Sequence, residues 1–199
     1  IIIVNHALLL ADVATGNRVL PEYEYLIVDE AHHLENATTS ALSFRVSQND
    51  LIRLLRELGG SSSGLLGRLL TEAKPILRPS DFAMFHQIIQ RATDLTFRLD
   101  HQFTVLFESF GFFLEDMRDG RPVGPYGHQE RIVDSTRTQP AWENIETAWE
   151  QAQDTIKLLI SLLDQIQKSL ADIEDQQTED MEDTVSSLGN ILRRLTETE

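Results

Sequence analysis

Two adjacent carboxylates followed by an imidazole form the most informative chemical pattern in the sequence. Asp29 and Glu30 come directly after the apolar run Tyr25–Val28, and His32 follows two residues later. A buried parallel strand delivers the residues at its carboxyl end to the edge where α/β sheets build their sites. At such an edge Asp29 could hold Mg²⁺ through water, while Glu30 orients and deprotonates the attacking water of a phosphoryl transfer. His32 could report the nucleotide state to a neighbouring domain.

Two other interpretations apply to the same residues. Asp and Glu favour the first turn of a helix, and on these four letters alone an acidic helix start is as well supported as a catalytic pair. The preceding apolar run favours the catalytic interpretation. A transition-metal site built from Asp29, Glu30, His32 and His33 is disfavoured, because the spacing differs from H-E-x-x-H and no third ligand is evident.

The elements expected to position these residues are two short strands. The β-branched run Ile1–Val4 indicates a buried parallel strand, and Tyr23–Val28 indicates a second one. Asn5–Ala14 between them is expected to form a short helix, and Leu42–Ser47 alternates like a short edge strand. So small a sheet leaves apolar edges exposed, and we therefore expect self-association through swapped or intermolecular strand pairing.

From Asn49 onward the sequence predicts helices almost exclusively. They are expected over residues 49–58, 65–74, 81–118, 142–173 and 184–195. In the two longest segments apolar residues recur at alternating steps of three and four, with one stutter in the first and none in the second. Such seams need a partner helix, so the two are expected to pack antiparallel across the connection at 120–140. The predicted fold is mostly α, an elongated bundle with two long antiparallel helices and a small two-strand α/β remnant.

The composition restricts the class of protein. None of the 199 residues is a cysteine, which excludes disulfides, thiolate zinc sites and an iron–sulfur cluster held by this chain, and fits a cytoplasmic protein. The apolar runs are far shorter than the roughly 20 residues of a membrane-spanning helix, so no membrane partner is expected. The net charge of −15 argues against a free-standing nucleic-acid binder, because polyanions are bound mainly through Lys and Arg.

Local features of the helical region suggest few further sites. Four arginines around the 120–140 connection are the best candidates for phosphate contacts, although solvated arginines are the more common case; they are Arg118, Arg121, Arg131 and Arg137. The acidic segment Asp172–Asp183 is typical of a solvated connector. The phenylalanines of 81–118 follow the helical period, which favours a core role over base stacking.

The order of the first 35 residues resembles the DinG/XPD family of superfamily 2 DNA helicases. The resemblance rests on Val4–Leu9, a short spacer, and Val28–Glu35 with its DEAH box, followed by a long helical stretch. It implies that Asp29 is the Mg²⁺-associated acid, Glu30 the catalytic base and His32 the coupling residue. It also implies a partial motor domain over 1–35, a helical arch-like domain over 36–199, and ATP-driven 5′–3′ unwinding of DNA in repair or replication.

The sequence departs from that family in what it lacks. It contains no G-x-x-x-x-G-K-[ST] loop to hold a triphosphate, and the family's cluster cysteines would precede Ile1. We therefore expect an internal segment of a longer helicase, with ATP and Mg²⁺ as cofactors and an iron–sulfur cluster possible only in that parent. This chain alone is expected to be inactive and to need the remainder of the helicase to act on DNA. A competing hypothesis is a non-catalytic, acidic helical interaction module that happens to contain DEAH.

Overall fold

The computed structural model describes residues 2–43, 46–122, 130–174 and 179–197. The chain divides into two compact units, Ile1–Val46 and Ser47–Glu199. Helices account for 75% of the structure, which confirms a mostly α protein. Within the described ranges no helix combines the length and apolarity needed to cross a membrane.

The first unit consists of two short helices and a turn. Helix α1 (His6–Ala14) begins after Asn5, whose side chain accepts a hydrogen bond from the Leu8 N–H at 2.9 Å. A single 3₁₀ turn (Ala31–His33) leads directly into helix α2 (Leu34–Leu42), which packs against α1. The sequence did not predict α2, and the unit boundary after Val46 includes it with α1. The assignment of the two units to a motor domain and an arch stays a prediction.

The two predicted strands are not seen. Residues 2–4 and 23–28 have no regular secondary structure, Ile1 lies outside the described residues, and the described part of the chain contains only an isolated bridge between Gly60 and Ser63. A strand exists only when its backbone groups pair with a neighbour, and neither segment finds one here. Their apolar side chains are consequently open to water: Ile3 is 93% exposed and Ile27 is 94% exposed.

The second unit is an assembly of helices. They are α3 (Gln48–Leu58), α4 (Gly64–Ala73), α5 (Pro79–Arg118), α6 (Asp134–Arg137), α7 (Pro140–Glu174) and α8 (Glu179–Thr196). Residues 131–133 of the 120–140 connection are irregular, and Leu42, the first residue of the predicted edge strand, ends α2. The middle of that edge strand (44–45), much of the 120–140 connection (123–129) and the middle of the acidic segment (175–178) lie outside the described residues.

The long helices α5 and α7 pack antiparallel along the predicted seams. Phe113 meets Trp142 with ring centroids 5.3 Å apart and planes at 76°, and the Gln102 side chain donates to the Gln151 carbonyl at 3.1 Å. The apolar residues of both stripes are buried or half-buried where their burial is described. The alternating three- and four-residue spacing therefore identified the facing sides of both helices correctly.

Helices α3, α4 and α8 complete the core of this unit. Leucines from α3 and α4 enter the same apolar cluster as α5, α7 and α8. The α3–α4 turn depends on Gly59, whose φ is +71° and whose added Cβ would lie 2.3 Å from the Ser63 carbonyl oxygen. Helix α8 packs through Leu188, Ile191 and Leu195 into this cluster, and its Arg194 contacts Glu57 of α3 at 2.6 Å.

Candidate functional site

The DEAH residues form one compact turn in the first unit, here called the Asp29–His33 turn. The Asp29 carboxylate accepts a hydrogen bond from the Glu30 N–H at 2.9 Å. Glu30 adopts the left-handed conformation, with φ 50° and ψ 41°, immediately before the 3₁₀ turn. Non-glycine residues occupy this region at a cost of about 1–2 kcal/mol. Strain of this kind is commonly found at functional sites.

The side chains of this turn are close together and face solvent. The Glu30 carboxylate lies 3.2 Å from His32 Nδ1, with both side chains about two-thirds exposed (66% and 67%). The His32 and His33 rings are 3.9 Å apart between centroids, with planes tilted by 42°. Asp29 and Glu30, predicted for phosphoryl transfer, and His32, predicted as the coupling residue, thus lie in one turn.

Helix α1 holds this turn through its first residue. The His6 Nε2 atom lies 3.1 Å from the Asp29 carbonyl oxygen, which links the start of α1 to the start of the turn. At the other end of α1, the fully buried Asp12 carboxylate accepts hydrogen bonds from the Val19 N–H at 2.8 Å and the Leu20 N–H at 2.9 Å. Asp12 therefore fixes the path of the chain as it leaves α1 toward the turn.

The chemistry of the turn suits two kinds of cation. Asp29 is exposed, and only one of its carboxylate oxygens accepts a hydrogen bond from a described residue, so oxygen is available for Mg²⁺. Ligand atoms of Glu30, His32 and His33 also lie within 4.8 Å of one another. Imidazole and carboxylate together suit a transition metal, and the structure brings three such groups of the Asp29–His33 turn within reach of one ion.

The four candidate DNA-contacting arginines lie in the second unit. Arg118 ends α5, is 29% exposed, and contacts Glu115 at 3.2 Å, while Arg121 donates to the Arg118 carbonyl. Arg137 ends α6 and lies 3.5 Å from Glu146. Arg131 is exposed and makes no hydrogen bond or ion pair with any residue the structure describes. Arg118 and Arg137 are therefore partly neutralised, and Arg121 and Arg131 are the freer cations.

Sequence reasoning missed several residues that shape the site. It assigned no role to His6, whose ring contacts the turn itself. It did not single out Asp12, although a lone acid on the apolar stretch Ala7–Val13 is a recognisable signal of a buried, hydrogen-bonded carboxylate. The left-handed Glu30 has no sequence signature, because non-glycine residues rarely adopt that conformation.

Comparison with known proteins gives a partial similarity. Over 108 residues, 52% of this chain, the sequence is 32% identical to the protein named 3′-5′ exonuclease DinG of Bacillus subtilis (strain 168). The matched region spans 12% of that relative's length. No protein-family model matches the chain, and no solved structure matches it. The similarity links this chain to one part of a much longer nucleic-acid enzyme.

Proposed function

We propose that this chain is the DEAH-box and helical arch-like segment of an ATP-dependent DNA helicase of the DinG/XPD type. The single observation that carries the proposal is the Asp29–His33 turn, in which a carboxylate pair and an imidazole converge in one strained, solvent-facing loop. The partial identity to a DinG protein supports the same origin. That relative is named for exonuclease activity, and the property that we propose for this chain's parent is its action on nucleic acid.

Within that proposal each residue of the turn has a distinct task. Asp29 holds Mg²⁺ directly or through water, and the metal supplies charge neutralisation on the phosphates. Glu30 orients the attacking water and accepts its proton. His32, 3.2 Å from Glu30, responds to the nucleotide bound beside that carboxylate and transmits the nucleotide state to a neighbouring domain.

The rest of the ATPase site has to come from elsewhere. Nothing in the 199 residues provides a glycine-rich phosphate loop, and none of them is a cysteine that could ligate an iron–sulfur cluster. We propose that the remainder of a longer helicase chain supplies the phosphate loop and any cluster. The exposed segments 2–4 and 23–28 would pair with strands of that remainder, which would cover Ile3 and Ile27.

The helical unit would then guide DNA against the motor. Arg121 and Arg131 flank the end of the α5/α7 hairpin and are the cations best placed to contact phosphates. The chain as a whole is acidic, so we expect only weak, salt-sensitive binding of DNA to this segment by itself.

The test is the effect of Glu30→Gln on ATP hydrolysis by the longer helicase that carries this segment. We expect DNA-stimulated turnover to fall by about 10²–10⁴-fold, because general-base catalysis contributes that factor. ATP binding should persist, since the substitution keeps the side chain's size. Glu35→Gln is the matched control: Glu35 is an exposed carboxylate in the first turn of α2 and should leave turnover within about twofold.

Two outcomes would contradict the proposal. Glu30→Gln and Glu35→Gln could reduce turnover equally, which would remove Glu30 from the chemistry. Alternatively, this 199-residue chain could hydrolyse ATP by itself, which would show that the missing phosphate loop is not needed. For this chain alone, we expect no phosphate release above the background of the buffer.

A further inference from the structure

The side of the α5/α7 pair that carries two open cavities is here called the groove. Two cavities lie along it, one of about 600 Å³ beside Phe112 and one of about 320 Å³ beside Leu158. Four of the nine α5 residues that line them repeat at heptad spacing (91, 98, 105 and 112), which places both cavities on the same side of the hairpin. At about 1.5 Å per residue, the groove from residue 91 to residue 116 is roughly 37 Å long.

The composition of this groove differs from that of the rest of the chain. None of the α7 residues that line either cavity is charged, although α7 elsewhere carries many acids. Large apolar side chains stand open there: Phe112 is 71% exposed and Leu158 is 55% exposed. Depletion of charge together with exposed aromatic and aliphatic side chains is the signature of a protein interface.

Four charged residues of α5 line the groove, Arg91, Asp94, Arg98 and Asp116, and the outermost two have opposite signs. Arg91 lines one end and Asp116 lines the other, and neither makes a hydrogen bond or ion pair through its side chain to a described residue. The midpoint between them falls between residues 103 and 104. Leu95 and Phe112 lie equally far from the same midpoint, as do Arg98 and Ser109. A second α5 running antiparallel about this point therefore meets opposite charges at both ends.

We propose that the occupant of this groove is a second copy of the chain, docked antiparallel about a two-fold axis near residues 103–104 of α5. Phe112 of each copy fills the smaller cavity of the other, between Leu95 and Leu158. That cavity, at about 320 Å³, is large enough, since about 150 Å³ suffices for a benzene ring. Arg91 of each copy pairs with Asp116 of the other. A two-fold interface of this kind brings the same surface of both copies together.

The acidity of the chain does not prevent this arrangement. The charged residues that line the two cavities are two arginines and two aspartates, so the surfaces brought together are neutral. The net charge of −15 comes from residues elsewhere. Between charges separated by more than the Debye length of about 8 Å at physiological salt, repulsion is largely screened.

Sedimentation velocity of the full chain as a function of concentration tests the proposal. We expect reversible dimers with a dissociation constant on the order of micromolar. Phe112→Glu should weaken the dimer by about a hundredfold or more, because two buried aromatic contacts are lost per dimer. Phe112 is exposed in the single chain, so helix content by circular dichroism should not change. Phe97→Glu is the matched control, because Phe97 is 68% exposed on the same helix and lines neither cavity.

A charge exchange tests the register. Arg91→Asp alone should weaken the dimer by about tenfold, since it places two acids together at each end. Arg91→Asp combined with Asp116→Arg should restore it. Failure of the double variant to recover would overturn the antiparallel register.

A further variant distinguishes the groove dimer from self-association through the exposed segments 2–4 and 23–28 of the first unit. Ile3→Lys with Ile27→Lys changes two side chains that are more than 90% exposed, and it should leave the dimer intact if the groove forms it. Loss of the dimer in this variant would assign association to the exposed segments instead. A wild-type chain that stays monomeric at about 100 µM, far above a micromolar dissociation constant, would overturn the proposal altogether.

Discussion

Replacing Asp12 by Ala should selectively destabilise the unit that carries the DEAH turn. The Asp12 side chain is fully buried and accepts hydrogen bonds from two backbone N–H groups, those of Val19 and Leu20. Its second oxygen makes no hydrogen bond to a described residue. Alanine leaves both N–H groups without an acceptor and frees the chain between α1 and the Asp29–His33 turn.

The size of the effect follows from these two contacts. A hydrogen bond to a charged acceptor contributes about 1.5–3 kcal/mol. Val19 is 50% exposed, so water can partly replace the lost acceptor and the lower value applies. Two such bonds give a loss of about 3 kcal/mol, or roughly a hundredfold in the opening equilibrium. A unit of about 46 residues buries too little surface to absorb such a loss.

Hydrogen exchange by mass spectrometry measures this loss unit by unit. We expect protection of the α1 amides to fall about a hundredfold. The second unit supplies an internal reference, because both tryptophans of the chain, Trp142 and Trp149, lie in α7. Their fluorescence should report an unchanged unfolding midpoint.

Asp12→Asn is the matched control for this prediction. An asparagine keeps one acceptor oxygen for both N–H groups, so it should lose less than half as much protection as alanine. Equal loss in the two variants would show that the negative charge, and not the hydrogen bonds, holds the loop. Unchanged α1 protection in Asp12→Ala would refute the assignment of Asp12 as the anchor of this unit.

Three further substitutions test the second unit. Phe103→Ala should lower the free energy of unfolding by about 3–5 kcal/mol, because Phe103 is 1% exposed at the α5/α7 seam. Urea unfolding followed by tryptophan fluorescence measures this loss. As a control, Phe97→Ala should lower it by less than about 0.5 kcal/mol, because Phe97 is 68% exposed. Asp119→Gly should raise the free energy of unfolding by about 1 kcal/mol in the same assay, since Asp119 follows the last residue of α5 and has a φ of 48°. A lower free energy of unfolding would mean that the Asp119 side chain matters more than its backbone conformation. Arg194→Ala should lower the free energy of unfolding by at most about 1 kcal/mol, and by less in high salt. The ion pair is weak because the Arg194 and Glu57 side chains are 41% and 45% exposed.

The helical unit was largely predictable because its signals are local. The seam of α7 repeats without a break, and an unbroken stripe has to face a partner helix. Helix ends were placed within five residues: α3 begins at Gln48, one residue before the predicted start, and α8 begins five residues earlier than predicted. The α5/α7 groove was not predicted, because its lining comes from two helices distant along the chain and forms only when the two helices lie side by side.

The candidate site was predictable in its residues and not in its conformation. Asp29, Glu30 and His32 stand out by type and order, and the structure places them in one turn. The strand expected before them is absent from the described residues, because a strand depends on neighbours that the segment 23–28 does not find in this chain.

The sequence by itself determined the mostly helical class, the facing sides of α5 and α7, and the chemical identity of the DEAH residues. These depend on side-chain type and on spacing within one element, which the order of residues records directly. Only the tertiary structure decided that His6 supports Asp29, that Asp12 is buried beneath the Val19–Leu20 loop, and that Glu30 takes a left-handed conformation. Each of these arises from contacts between segments distant along the chain or from strain that such contacts sustain, and no local pattern encodes them.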